Sequence, residues 1–197
     1  MKGDVIVGAV LAGGRGERIG GDKALVRLAG EPLIMHALRA LQGCSGLAVV
    51  GDREAAQIAG AAFVEDAAGV ARGPLAGIAA ALAYAVSVNA HWVALCPCDS
   101  PFLPDDLVAL LHDEARRTGA LLVCARAGTQ VQPLVSLWHV SLAPVLKTAL
   151  QGEKYPPLHR FSAELGAAYL ALAEEQLVNV NTREDLARAE ARLRAGL

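Results

Sequence analysis

The sequence has 197 residues, 54% apolar and 19% charged, with a formal net charge of −2 and a mean hydropathy of +0.37. The length suits one domain, residues 1–197, and the slightly acidic balance argues against a protein built to hold a polyanionic nucleic acid. Apolar runs stop well short of the roughly 18 residues of a membrane span, and Met1-Lys2-Gly3-Asp4 leads into a strand-like run without a cleavage pattern, so the expected location is cytoplasmic, with no membrane partner.

Taken in chain order, strand-like runs occur at Val5 to Leu11, Leu47 to Gly51, Trp92 to Cys96, Leu121 to Ala125 and Pro133 to Trp138. Between most of them lie segments of helical periodicity. Pro32 opens one, with Leu33, Ile34, Ala37, Leu38 and Leu41 spaced for a buried face. Asp52 or Arg53 starts the next. Gly73 to Gly77 turns into a helix expected to pack Ile78, Leu82 and Val86 on the sheet, and Pro104-Asp105-Asp106 reads as the acidic first turn of a helix ending near Gly119. Gly152 to Gly166, with Pro156-Pro157, reads as an irregular excursion. Thr182-Arg183-Glu184-Asp185 resembles a capping box opening a solvated, charged terminal helix, with Asp where Glu or Gln is usual. The alternation predicts a three-layer α/β fold with a mainly parallel central sheet.

The four cysteines, Cys44, Cys96, Cys98 and Cys124, lie in or beside apolar runs, and Cys96-Pro97-Cys98 lacks zinc or thioredoxin-like spacing, so reduced, buried thiols are expected. His36 and His112 fall on amphipathic helices; His91, His139 and His159 share no metal-ligand spacing. Packing or surface roles are expected for all five.

The informative segment is Leu11-Ala12-Gly13-Gly14-Arg15-Gly16-Glu17-Arg18-Ile19-Gly20-Gly21-Asp22-Lys23. Its small residues let backbone N–H groups approach phosphate oxygens, and Arg15, Arg18 and Lys23 can offset triphosphate charge. A surface loop can share this composition, but a position after the first strand of an α/β sheet favours phosphate binding. The spacing fits neither G-x-x-x-x-G-K-[ST] nor G-x-G-x-x-G, which weakens the reading of a nicotinamide-dependent oxidoreductase. Asp99 follows an apolar run at an expected strand exit, where it can hold magnesium or simply make a turn with Ser100-Pro101; residue chemistry alone weighs these equally.

The loop resembles the L-A-G-G-x-x-x-R-M-G-x-D-K signature of nucleotidyltransferases, with Ile19 at the usual Met, and is most similar to molybdenum cofactor guanylyltransferases. The resemblance continues through Gly30-x-Pro32-Leu33, Glu65-Asp66, Gly73-Pro74-Leu75-Ala76-Gly77, Cys96-Pro97-Cys98-Asp99-Ser100-Pro101, Gln132-Pro133 and Asn179-Val180-Asn181-Thr182. Gly152 to Ala173 matches poorly.

This resemblance implies a Rossmann-like nucleotidyltransferase that moves GMP from Mg2+-bound GTP to the phosphate of molybdopterin or molybdenum-molybdopterin. Cofactor-biosynthesis proteins and recipient molybdoenzymes are the implied protein partners. Leu11, Ala12, Gly13, Gly14, Lys23, Gly51, Asp66, Gly73, Pro74, Leu75 and Asp99 would contact the nucleotide. Lys23, Arg18 and Asp99 would serve catalysis, Asp99 as the metal ligand, and Asn179 and Asn181 would lie near the acceptor. Where the family often has a nucleotide-contacting Asn after the second strand, this chain has Gly51-Asp52, so that contact is lost or shifted. A cytidylyltransferase or another small-molecule nucleotidyltransferase is the neighbouring reading, disfavoured by Leu11-Ala12-Gly13-Gly14 and Gly73 to Gly77. A noncatalytic nucleotide-binding regulator is the more distant one.

Overall fold

A computed structural model of the chain describes residues 3–13, 19, 22–66, 73–151 and 157–196. The elements are β1 (Ile6–Leu11), β2 (Arg27–Leu28), β3 (Glu31–Pro32), α1 (Leu33–Arg39), β4 (Leu47–Val50), α2 (Arg53–Ala59), β5 (Ala62–Val64), α3 (Pro74–Ser87) and β6 (Trp92–Pro97). Then follow α4 (Leu107–Thr118), β7 (Leu122–Ala127), β8 (Gln130–His139), α5 (Ala143–Ala149), α6 (Leu158–Glu164), β9 (Ala168–Ala171) and α7 (Arg183–Arg194).

Seven strands form one sheet in the order β5-β4-β1-β6-β8-β7-β9, and β2-β3 is a separate hairpin. All neighbours are parallel except β8, which runs antiparallel to both β6 and β7. This is the expected mainly parallel, Rossmann-like sheet. Strand direction alternates side chains between two cores. Val10, Val49, Cys96 and Leu137 pack under α1, α2 and α4, whereas Val7, Ala9, Val50 and Leu95 pack under α3, α5 and α6. A third, small cluster joins Ile19, Leu28, Leu33, Val180 and Ala189, and it fastens the far end of the first loop to α7. That explains an apolar residue in an otherwise polar loop.

Five expectations need correction. Val86 is 50% exposed; Ala85 is buried in its place, because 100° per residue carries the buried stripe from Ile78 and Leu82 to Ala85. Asp105 and Asp106 precede α4 instead of forming its first turn, although Gly119 closes it in the left-handed conformation as expected. Part of the expected excursion is ordered as α6, residues 152–156 lying outside the described set. The strand expected to begin at Pro133 begins at Gln130. Pro133 itself falls where the β7–β8 register slips, a place that tolerates a residue without an N–H. Gly51 lies beyond β4, at φ +89°.

Cys96, Cys98 and Cys124 are buried and Cys44 half-buried, all as free thiols; burial pushes Cys44, Cys98 and Cys124 up to about 12. No helix among the described residues is long and apolar enough to cross a membrane.

Candidate active site

The chain leaves β1, moves outward through β4 and β5, then returns through α3 to β6 on the other side of β1. This reversal opens a crevice at the carboxyl ends of β1 and β6, where ligands of open α/β sheets collect. Backbone bonds prolong the pairing past the strand ends: Cys98 N–H donates to the Leu11 carbonyl at 3.1 Å and Ala12 N–H to the Val50 carbonyl at 2.9 Å. The start of the glycine loop is therefore as firmly placed as the sheet.

Gly13 is packed between two neighbours. A side chain at Gly51 would meet Gly13 Cα at 3.0 Å and Gly13 N at 3.2 Å, and the positive φ independently favours glycine there. On its other side, the position a Gly13 Cβ would take lies 3.7 Å from an Asp66 carboxylate oxygen. Glycine at position 51 thus permits close backbone contact between the first loop and the β4 exit. Asp52 does different work: its carboxylate caps α2 by accepting from Ala55 N–H at 2.9 Å. Above β1, α3 starts at Pro74 with Leu75 buried, and a Cβ on Gly77 would reach Leu11 Cδ2 at 3.3 Å. Gly73, Pro74 and Leu75 lie at the start of this helix, in the turn before the Gly77 contact with Leu11.

Asp99 leaves the end of β6 and is 8% exposed. One carboxylate oxygen accepts from the Lys23 ammonium, while the other is buried with no hydrogen-bond partner among the described residues. The Lys23 ammonium also donates to the Asn181 carboxamide. Asp99's carbonyl accepts from Val180 N–H at 2.8 Å, and Ser100 Oγ donates to Asn179 Oδ1 at 2.7 Å. Leu11, Ala12, Gly13, Lys23, Gly51, Asp66, Gly73 to Leu75, Asp99, Asn179 and Asn181 are all described; Gly14, Arg15 and Arg18 lie outside the described residues.

The sequence reading missed three contributors. Ser100 looked like turn material, yet it ties the Asp99 turn to Asn179. Asp22 accepts from Ala24 N–H at 3.2 Å to place the turn carrying Lys23; burial, and then the neighbouring Asp52 carboxylate, push its pKa above the ordinary value. Asp185, expected only as a helix cap, reaches Asn181 as well. Its carboxylate beside the N-x-N segment was the available signal.

The start of a glycine-rich first loop, a lysine and an aspartate gathered at the strand ends of a Rossmann-like sheet fit a nucleotidyltransferase. The chain belongs to the MobA-like NTP transferase domain family, whose model matches residues 8–188. It is 36% identical over 188 residues to a protein of Acidiphilium cryptum (strain JF-5) named molybdenum cofactor guanylyltransferase, covering 92% of each chain. A protein of the same name from Serratia proteamaculans (strain 568) is 38% identical over 190 residues, covering 93% of each. The crystal structure of molybdopterin-guanine dinucleotide biosynthesis protein A from Archaeoglobus fulgidus superposes with a TM-score of 0.78 at 25% identity, covering 97% of this chain and all of that one.

Proposed function

We infer that this enzyme transfers GMP from GTP to the terminal phosphate of molybdopterin or molybdenum-molybdopterin, giving molybdopterin guanine dinucleotide and pyrophosphate. The observation that carries the reading is the Lys23–Asp99 pair beside the Leu11 to Gly13 loop, in a chain whose curated relatives bear the guanylyltransferase name. In this reading the acceptor phosphate attacks the α-phosphorus in line; the new P–O bond forms as the bond to the β-phosphate bridging oxygen breaks. A phosphate monoester is already ionised near neutral pH, so positioning and charge stabilisation suffice and no strong general base is needed.

The residues present fit magnesium: Asp99 keeps one buried oxygen without a hydrogen-bond partner among the described residues, and Mg2+ characteristically takes one or two carboxylates together with substrate phosphates. Bound there, the ion supplies positive charge to the phosphates. Leu11, Ala12 and Gly13, continuing into Gly14, cradle the triphosphate. Lys23, with Arg18 from the loop, offsets charge on its oxygens. Asp66 accepts from guanine N1–H and the exocyclic amine, with Gly51 and Gly73 to Leu75 shaping the pocket. Asn179 borders the side from which the acceptor arrives, while Asn181, expected there from the resemblance, reaches Lys23 on the donor side.

The test is pyrophosphate release with GTP, CTP and ATP, each crossed with molybdopterin and its molybdenum-loaded form. GTP is expected to exceed CTP in kcat/KM by roughly five- to hundredfold, since one buried unpaired polar group costs about 1–3 kcal/mol. Equal use of CTP contradicts the guanine assignment. Binding of Mg-GTP without pyrophosphate release in any combination contradicts the transferase assignment.

A further inference from the structure

We infer that Asp185, in the first turn of α7, is a positioning residue for the donor side of the site: it fixes Asn181, whose carboxamide holds the Lys23 ammonium beside Asp99. The inference rests on the function proposed above and adds to it a residue and a direction of action.

A lysine side chain is long and flexible, so holding its charge at one point costs rotamer entropy unless fixed acceptors receive it. Among the described residues Lys23 has two, Asp99 and Asn181. Asp99 is fixed by the sheet. Asn181 is exposed, and it lies in the irregular segment ahead of α7. Its constraint comes from three successive backbone N–H groups, each tied to a carbonyl or carboxylate. Val180 N–H donates to the Asp99 carbonyl at 2.8 Å. Asn181 N–H and Thr182 N–H both donate to one Asp185 carboxylate oxygen, at 3.0 and 2.9 Å. An ordinary capping box returns one carboxylate to the N-cap N–H alone. Here the same oxygen also takes the preceding N–H, and Arg188 holds the other oxygen.

The choice of acceptor matters chemically. A carboxylate neutralises an ammonium, whereas a carboxamide oxygen holds it and leaves its charge available to phosphate oxygens. Asn181 is therefore suited to pre-orient Lys23 for a triphosphate, which assigns it to the donor half of the site, and Asp185 acts through it.

Mg-GTP affinity, measured calorimetrically on the full chain without acceptor, tests this. Asp185→Ala and Asn181→Ala are each expected to weaken binding by about tenfold, the lower end of the range for a hydrogen bond to a charged group, and the double variant to lose no more than the weaker single one. Asp185→Glu should restore most of the affinity. Ala187→Gly, which loosens the same helix at an exposed position, should retain wild-type affinity at comparable thermal stability. In turnover, the GTP KM should rise and the acceptor KM stay unchanged. Unchanged GTP affinity in Asn181→Ala or in folded Asp185→Ala overturns the inference, as do additive losses, an equal loss in Ala187→Gly, or an effect confined to the acceptor KM. Failure of the wild-type chain to bind Mg-GTP overturns instead the function on which the inference rests.

Discussion

Asp99 offers its two carboxylate oxygens to different tasks: one is taken by Lys23, and the other is buried without a hydrogen-bond partner among the described residues. Asp99→Asn keeps the shape of the side chain but removes its charge. Magnesium-dependent turnover should fall by about a hundredfold or more while the folded far-UV spectrum is retained, since metal charge stabilisation is worth several kcal/mol in such transition states. Near-normal turnover would remove Asp99 from the metal site. Asp22 gives a prediction of stability. Burial, then Asp52, raise its folded pKa above the ordinary 3.8. Its stabilising contribution is therefore complete below the unfolded value and is lost as pH rises through the raised one. Asp22→Asn should raise Tm at pH 7, with the gain vanishing in acid; a lower Tm at pH 7 contradicts this. Lys23 and Asp99 were legible one at a time, as a cation in a glycine loop and a carboxylate at a strand exit. Their contact with each other and with Asn181 was not, because 76 and 158 residues separate the pairs and no local spacing encodes them.

At the scale of elements, what could be read depended on burial. β1 and β6 are almost wholly buried and stood out as apolar runs. β5 and β9 are the two edge strands, of three and four residues and mostly half-buried; both are apolar, but runs this short beside alanine carry no period that tells strand from helix. Helix starts were readable where a side chain caps, as Asp52 and Thr182 do, or where a proline marks the entry, as Pro32 does, and the acidic stretch ahead of α4, with no side-chain cap at Asp106, was misplaced. Gly8 sits within β1, with no turn to explain it from sequence. A Cβ there would approach Leu47 Cδ2 at 2.9 Å and Leu41 Cβ at 3.0 Å, so glycine lets the chain that follows α1 pack directly on the strand. Gly8→Val should destabilise by about 1–3 kcal/mol through overpacking, read as a lower midpoint in urea unfolding. An unchanged midpoint would show that Leu41 and Leu47 move aside without cost.

Over the whole molecule, a mainly parallel sheet with a strand reversal gathers Leu11, Gly51, Asp66 and Asp99 at strand exits, and the chain closes the site with Asn179 and Asn181 immediately before its last helix. The sheet and the places of the first loop and of Asp99 were legible because strand alternation and the strand-exit rule follow general features of α/β folds, whereas Gly51, Asp66, Asn179 and Asn181 came from the resemblance. The identity of donor and acceptor came from the resemblance, since fold alone does not fix function. The central claim is that the α-phosphate leaves with the nucleoside and joins the acceptor phosphate. Following GTP labelled separately at the α- and γ-phosphates, in the presence of Mg2+ and molybdopterin, tests it most directly. The α-label should appear in a molybdopterin dinucleotide and the γ-label in pyrophosphate, in equal amounts. Release of the γ-label as orthophosphate, with the α-label left in GDP and none in the pterin product, would contradict it.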